Sequence, residues 1–137
     1  MPFFERSSAT LRITGDLLVP IRITQMLGSE PTDAQQKGDE ILGRSTGQIR
    51  IAKTGMWLLE SQTCKPEDLC GQIDEILGKL TNDRAIWAEI RRDCCIDLFC
   101  GLFMGSGNDG ISLPPDRLMA LGERGIELAL DIYDAKD

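Results

Sequence analysis

The sequence predicts a single α+β domain in which helices pack on a mixed or antiparallel sheet of about five strands. Three observations lead to this prediction. The chain has 137 residues, which is a typical length for one domain. Several segments alternate apolar and polar residues, as half-buried strands do, and between them lie segments with the apolar spacing of amphipathic helices. We therefore expect residues 1–137 to form one domain.

The N-terminal part of the chain predicts a strand followed by a short helix. Residues 10–14 alternate apolar and polar side chains. Pro20 suits the first turn of a helix, where its missing N–H is not needed. Gly28 can end that helix in the left-handed conformation. Residues 29–39 are polar and contain proline and glycine, so we expect a loop there.

The next segment predicts a β-hairpin. Residues 48–52 and 56–61 are both strand-like, and a plausible turn of Lys53, Thr54 and Gly55 separates them. In the second strand, Trp57 and Leu59 should share one face.

Two helices are expected to follow. Residues 66–80 have the clearest amphipathic pattern in the chain. Asn82 or Asp83 can cap a second, shorter helix that runs to Arg92.

The C-terminal part predicts strand, helix and strand. Residues 94–104 carry apolar side chains on both faces except at Asp97, which predicts a central strand covered on both sides. A glycine-rich turn at 105–110 precedes a helix that begins near Pro115. Residues 126–133 alternate as a final strand, and the predicted order is β-α-β-β-α-(α)-β-α-β.

Short motifs along the whole chain resemble one known family. They are Gly15-Asp16, the helix stop at Gly28, Pro31-Thr32, Lys37-Gly38, the strand around Trp57 and the final Leu130-Asp131-Ile132-Tyr133. In these features the chain resembles a bacterial domain-of-unknown-function family, the one catalogued as forty-two seventy-nine. The resemblance implies the same single-domain α+β fold. It implies no activity, because the family has no assigned function.

The charge distribution argues against two classes of partner. The net charge is −7; residues 1–55 carry seven basic and six acidic groups, and residues 56–137 carry eight basic and sixteen acidic groups. Nucleic acids and anionic membranes bind through lysine and arginine, so we expect neither as a partner. A basic protein partner is compatible with this charge. No apolar segment is long enough for a secretory signal or a membrane span, so we expect a soluble, cytoplasmic protein.

Residue composition also restricts the possible chemistry. The chain contains no histidine, which excludes Ser-His-Asp and Cys-His nucleophiles and histidine-containing zinc sites. Five cysteines, an odd number, favour reduced and mostly buried thiols over a disulfide framework. Their spacing does not match a zinc site, so we expect no metal and no cofactor. The alternative for Cys94 is a redox-sensing role, which needs exposure and nearby positive charge; Arg91 and Arg92 lie close to it in the sequence.

Two further motifs have both a functional and a structural interpretation. Residues 105–110 match GxGxxG, but Pro114 and Pro115 delay the next helix, so a turn is favoured over a dinucleotide loop. Asp97 interrupts an apolar strand, and a buried carboxylate must be paired or neutralised, so its surroundings could be functional. The structural alternative is that Asp97 faces an edge of the sheet or forms a salt bridge.

One region suggests a binding surface. Lys37, Arg44 and Arg50 give the loop and hairpin a basic excess, and Trp57 supplies an aromatic surface of the kind enriched at binding hot spots. The alternative for Trp57 is a place in the core, with the charges solvated.

The sequence therefore leads to a ranked set of possible functions, and it identifies no catalytic residue. The first is a non-catalytic binding or protein-interaction module, with a basic protein or a second copy of the chain as partner. The alternatives are a small-ligand binder or an enzyme based on carboxylates and lysine, and a self-associating structural protein.

Overall fold

The computed structural model describes residues 3–135. They form seven strands and four helices in the order β1 (Arg6–Gly15), α1 (Pro20–Leu27), β2 (Asp33–Gln35), β3 (Glu40–Leu42), β4 (Ile49–Ile51), β5 (Gly55–Glu60), α2 (Leu69–Leu77), α3 (Arg84–Arg91), β6 (Cys95–Phe103), α4 (Pro115–Glu123) and β7 (Glu127–Tyr133). The predicted α+β class and the predicted succession of longer elements are confirmed. Two short strands, β2 and β3, are additional.

Five of the strands form one mixed sheet in the order β2-β5-β1-β6-β7. β1 lies at its centre and pairs antiparallel with β5 on one side and with β6 on the other. β7 joins β6 in parallel after the α4 crossover. β3 and β4 form a separate antiparallel pair.

The hydrophobic core lies on one face of this sheet. From Ser7 to Thr14, β1 alternates between buried and half-buried positions, so Leu11 and Ile13 are fully buried while their neighbours are not. This face of the sheet, which we call the helix-side face, packs against residues from every helix. The sheet residues of the core are Ala9, Leu11, Ile13, Trp57, Leu59, Ile96, Leu98 and Cys100, and the helices contribute Ile23, Leu27, Leu69, Ile73, Ile76, Trp87, Ile90 and Leu121.

The helix ends follow the capping residues in the sequence. Gly28 ends α1 with a φ of 82°, in the left-handed conformation that glycine adopts without strain. Asp83 accepts a hydrogen bond from the Ala85 amide and caps α3, as predicted. α2 is shorter than the predicted 66–80, and Asp68 caps its start by accepting a hydrogen bond from the Gly71 amide.

The predicted hairpin between residues 48–52 and 56–61 is wrong. β4 pairs with β3, and Ala52 continues that pairing by donating its amide to the Asp39 carbonyl. β5 already has β2 on one edge and β1 on the other, so neither edge is left for β4. Alternation of side chains revealed both strands but carried no information about their partners.

The expectation that the strand after Cys94 is covered on both sides is also wrong. β6 buries Ile96, Leu98 and Cys100 on the helix-side face, whereas Cys95 on the opposite face is exposed and Phe99 is half-buried. The apolar residues of that second face contact side chains of neighbouring strands instead of another layer.

Within residues 3–135, no helix is long and apolar enough to cross a membrane.

Trp57 offers a test of this core. Its side chain is fully buried, and its indole N–H donates to the Thr24 hydroxyl at 3.1 Å. We expect Trp57→Ala to lower the free energy of unfolding by about 3–5 kcal/mol, because it removes a large buried side chain and leaves a cavity. Urea unfolding followed by circular dichroism measures this.

The control is Leu17→Ala, since Leu17 is 74% exposed. That change should shift the free energy of unfolding by no more than about 0.5 kcal/mol. Equal small losses for the two variants would contradict the position of Trp57 in the core.

Candidate functional site

The second face of the five-stranded sheet has no helix packed on it in the part of the chain that the structure describes. We call it the open face. Strand registers place one set of alternate side chains on it: Asp33 and Gln35 of β2, Met56, Leu58 and Glu60 of β5, Arg6, Ser8, Thr10, Arg12 and Thr14 of β1, Cys95, Asp97, Phe99 and Phe103 of β6, and Glu127, Ala129, Asp131 and Tyr133 of β7.

An ion pair occupies the centre of the open face. Arg12 and Asp97 lie opposite each other on adjacent strands, and the guanidinium donates from Nε to Oδ1 at 2.8 Å and from Nη2 to Oδ2 at 2.7 Å. This hydrogen-bonded carboxylate raises the pKa of Arg12 above its usual value. The guanidinium carbon also lies 4.3 Å from the centre of the Phe99 ring. The carboxylate that interrupts β6 is thus paired, as the structural interpretation of Asp97 predicted.

A second arginine covers an aromatic pair farther along the sheet. The Arg6 guanidinium carbon lies 3.9 Å from the centre of the Phe103 ring. Phe103 stacks on Tyr133 with ring centres 4.6 Å apart and planes inclined by 8°. The Tyr133 hydroxyl donates to Asp131, which raises the pKa of Tyr133. Apolar rings on this face are therefore covered by cations of the same sheet.

A concavity of about 250 Å³ opens beside the central ion pair. It combines an apolar wall, one hydroxyl, one thiol, one guanidinium group and two carboxylates. The lining residues are Arg12, Thr14, Met56, Cys95, Ile96, Asp97 and Glu127. Asp97 is committed to Arg12, but Glu127 is exposed and stands beside Asp97 in the register. The concavity therefore offers apolar contact and a carboxylate together.

The open face is acidic overall. Among the described residues it carries five carboxylates and two guanidinium groups. The carboxylates are Asp33, Glu60, Asp97, Glu127 and Asp131, and the guanidinium groups are Arg6 and Arg12. Because the carboxylates outnumber the guanidinium groups by three, the formal charge of this face is negative.

The residues that the sequence analysis grouped as a binding surface lie in two environments, since the three basic residues are exposed and Trp57 is buried. Lys37 is exposed and its Nζ lies 3.4 Å from Asp16. Arg44 is exposed between β3 and β4, and Arg50 lies on β4. Trp57 is in the core, so its ring is not accessible from the surface.

Arg50 does line a second concavity. It lies between β2 and the β3–β4 pair, has a volume of about 450 Å³, and is lined by Asp33, Ala34, Gln35, Asp39, Glu40, Ile41, Leu42 and Arg50. Lys37 and Arg44 are not among its lining residues.

The glycine-rich segment at 105–110 is a turn, as predicted, and its own carboxylate holds it. Asp109 accepts hydrogen bonds from the amides of Gly105 and Ser106 and from the Ser106 hydroxyl. These bonds lower the pKa of Asp109. The amides that would have to receive a pyrophosphate are already occupied by this carboxylate.

The expectation of mostly buried thiols is only partly met. Cys100 is buried, Cys64, Cys70 and Cys94 are half-buried, and Cys95 is exposed on the open face. Burial raises the pKa of Cys100 to about 12. Burial and the neighbouring Asp93 also raise the pKa of Cys94, which disfavours the reactive thiolate that a redox sensor needs. In residues 3–135, no three Cys, Asp or Glu side chains are grouped so that they could share a metal ion.

Comparison with known proteins identifies the family and nothing more specific. The family model described as a domain of unknown function, DUF4279, matches residues 5–135. The chain belongs to the DUF4279 family. The match runs from β1 to just past β7, so this DUF4279 domain includes both faces of the sheet. No curated protein and no solved structure matches the chain.

Sequence reasoning located one residue of the central ion pair in this DUF4279 domain and missed the other. Asp97 stood out because it interrupts an apolar strand. Arg12 did not, because a polar residue is expected at alternate positions of a half-buried strand. The signal that could have revealed Arg12 was the presence of apolar residues on both faces of β6. Phe99 and Phe103 on the second face needed contacts that shield their rings from water, and arginines on β1 could provide them.

Cys95 allows the exposure of the open face to be tested chemically. We expect a thiol-reactive reagent to label Cys95 first in the native protein, because Cys95 is exposed and Cys100 is both buried and mostly protonated at neutral pH. Peptide mapping by mass spectrometry at short labelling times measures the order. Cys95→Ser should abolish the fastest labelling reaction. Fast labelling that survives this change would contradict the position of Cys95 on the open face.

Proposed function

We propose that the protein is a non-catalytic interaction module whose open face binds a basic protein. The observation that carries the proposal is the one-sided sheet. Helices cover one face, while the other presents half-buried apolar side chains, an excess of carboxylates and a concavity.

The concavity beside Arg12 and Asp97 supports a basic side chain as the feature recognised. Met56 supplies an apolar surface for a methylene stem, and Glu127 supplies a carboxylate that no arginine or lysine of the described chain pairs with at salt-bridge distance. Lysine and arginine side chains combine an apolar stem with a charged end, so they match both walls. Charge complementarity of this kind favours association rate and specificity, and both weaken as salt increases.

The chemistry of the open face supports binding more than catalysis. Its central carboxylate is held in a bidentate ion pair, and its arginines lie over rings of the same sheet. A general acid or base needs a proton-transfer group with a pKa near the working pH. The groups of this face with shifted pKa values, Arg12 and Tyr133, move away from neutrality.

A matched pair of charge-reversal variants tests this function. The immobilised protein would be exposed to lysate of its source organism, and retained proteins would be identified by mass spectrometry at increasing salt. We expect basic proteins to be retained and then released as salt rises. Glu127→Lys on the open face should reduce the retained amount by about ten-fold, which corresponds to about 1.4 kcal/mol.

Glu89→Lys is the control, because Glu89 lies on α3, on the helix side of the sheet. This substitution changes the net charge by the same amount as Glu127→Lys. It should retain the same proteins as the unaltered chain. Equal losses in the two variants would mean that only total charge matters. Retention that does not respond to Glu127→Lys would contradict the proposal.

A second candidate function is binding of a small polar ligand between β2 and the β3–β4 pair. Its support is the size of that concavity, about 450 Å³, which falls within the range usual for ligand sites, and the presence of Arg50 among carboxylates. If the immobilised protein retains no protein from the lysate, this candidate is favoured over binding by the open face.

A further inference from the structure

The last strand of the sheet leaves one edge without a partner among the described residues. β7 has seven residues, Glu127–Tyr133, and β6 is its neighbour in the sheet. The strand at the opposite edge, β2, has three residues. Proteins usually protect long edge strands with lysine, proline or a bulge. β7 contains neither lysine nor proline, and its register with β6 runs without interruption.

Hydrogen bonding to β6 determines which backbone groups of β7 point outward. The Tyr133 carbonyl accepts a hydrogen bond from the Met104 amide. The backbone groups of Tyr133 and of every second residue before it, namely Asp131, Ala129 and Glu127, therefore point toward β6. The intervening residues, Leu128, Leu130 and Ile132, therefore direct their N–H and C=O groups away from the sheet.

All three residues carry apolar side chains on the helix-side face; Leu128 is half-buried against the core, and the other two are exposed. Leu130 is 44% exposed and Ile132 is 54% exposed, although both stand on the face that forms the core elsewhere in the sheet. Their exposure results from their position at the edge, beyond the helices. A strand added to this edge would cover them.

We propose that this edge pairs with the same edge of a second copy of the chain, with β7 antiparallel to β7 and Leu130 opposite Leu130. In this register Leu128 lies opposite Ile132, so all three outward-directed residues form hydrogen-bonded pairs. Registers centred one residue earlier or later leave one of the three without such a pair. The backbone of β7 is therefore complementary to itself in one specific register.

The side chains agree with that register on both faces. On the helix-side face, apolar residues meet apolar residues, which stabilises antiparallel strand pairs. On the open face, Glu127 lies opposite Tyr133 and Ala129 lies opposite Asp131. No carboxylate lies directly opposite another, even though β7 carries two.

The pairing joins two five-stranded sheets into one sheet of ten strands. Antiparallel pairing places the two-fold axis perpendicular to the sheet, so both open faces lie on the same side. Each chain carries a net charge of −7, so the copies repel each other and association should strengthen as salt screens that repulsion. This salt dependence is opposite to the one expected for binding of a basic protein by the open face.

Sedimentation equilibrium of the full chain over a wide concentration range tests the proposal. We expect a reversible two-chain species whose dissociation constant decreases as salt rises. Ile132→Lys should increase that constant by about ten-fold or more, because it places a solvated charge opposite Leu128. Leu17→Lys, at a site that is 74% exposed and outside the sheet, should leave it unchanged.

Leu130→Pro is the second variant, and it removes a backbone N–H together with the apolar side chain at the centre of the proposed pairing. Its missing N–H is one that points away from β6, so the fold should persist while self-pairing is lost. Circular dichroism verifies that each variant is folded. A chain that remains monomeric throughout, or a two-chain species indifferent to Ile132→Lys and Leu130→Pro, would overturn the proposal. Neither result would affect the Glu127→Lys test of the open face.

Discussion

The structure depends on one hydrophobic cluster that joins the buried face of the central strand to residues from all four helices. β1 places Leu11 and Ile13 on that face, and α1, α2, α3 and α4 all contribute buried residues to the same cluster. Because a β-strand sends successive side chains to opposite faces, this commitment leaves Arg12 and its neighbours on the second face. The existence of a second, uncovered set of side chains is thus a consequence of how the core is built.

Two arginines make that second face compatible with water. Phe99 and Phe103 would otherwise present aromatic rings to solvent, and each is covered by a guanidinium group from β1 at 4.3 Å and 3.9 Å. Contacts of this kind at exposed sites contribute about 0.5–1 kcal/mol each. Arg12 also forms a bidentate pair with Asp97, which fixes its orientation over the ring. A partner that displaced these arginines would gain access to an apolar surface.

The sequence predicted the elements of the fold better than their arrangement. Side-chain periodicity located the long strands and helices, and Gly28 and Asp83 marked helix ends, because those signals are local. The partner of β4 was predicted wrongly, since pairing depends on which edges of β5 remain free. The double-faced pattern of β6 was interpreted as a second covering layer, although cross-strand arginines provide the cover. Of the predicted binding residues, Trp57 lies in the core and Lys37, Arg44 and Arg50 are exposed; spatial grouping of such residues is not encoded in their order along the chain.

The most direct test of this account is the accessibility of side chains on the two faces to a soluble paramagnetic reagent, measured by NMR of methyl groups. The account predicts stronger relaxation for Met56, Leu58 and Ala129 on the open face than for Leu11, Leu59 and Leu98 on the helix-side face. Equal protection of both sets would contradict it, because it would mean that a further layer covers the second face of the sheet.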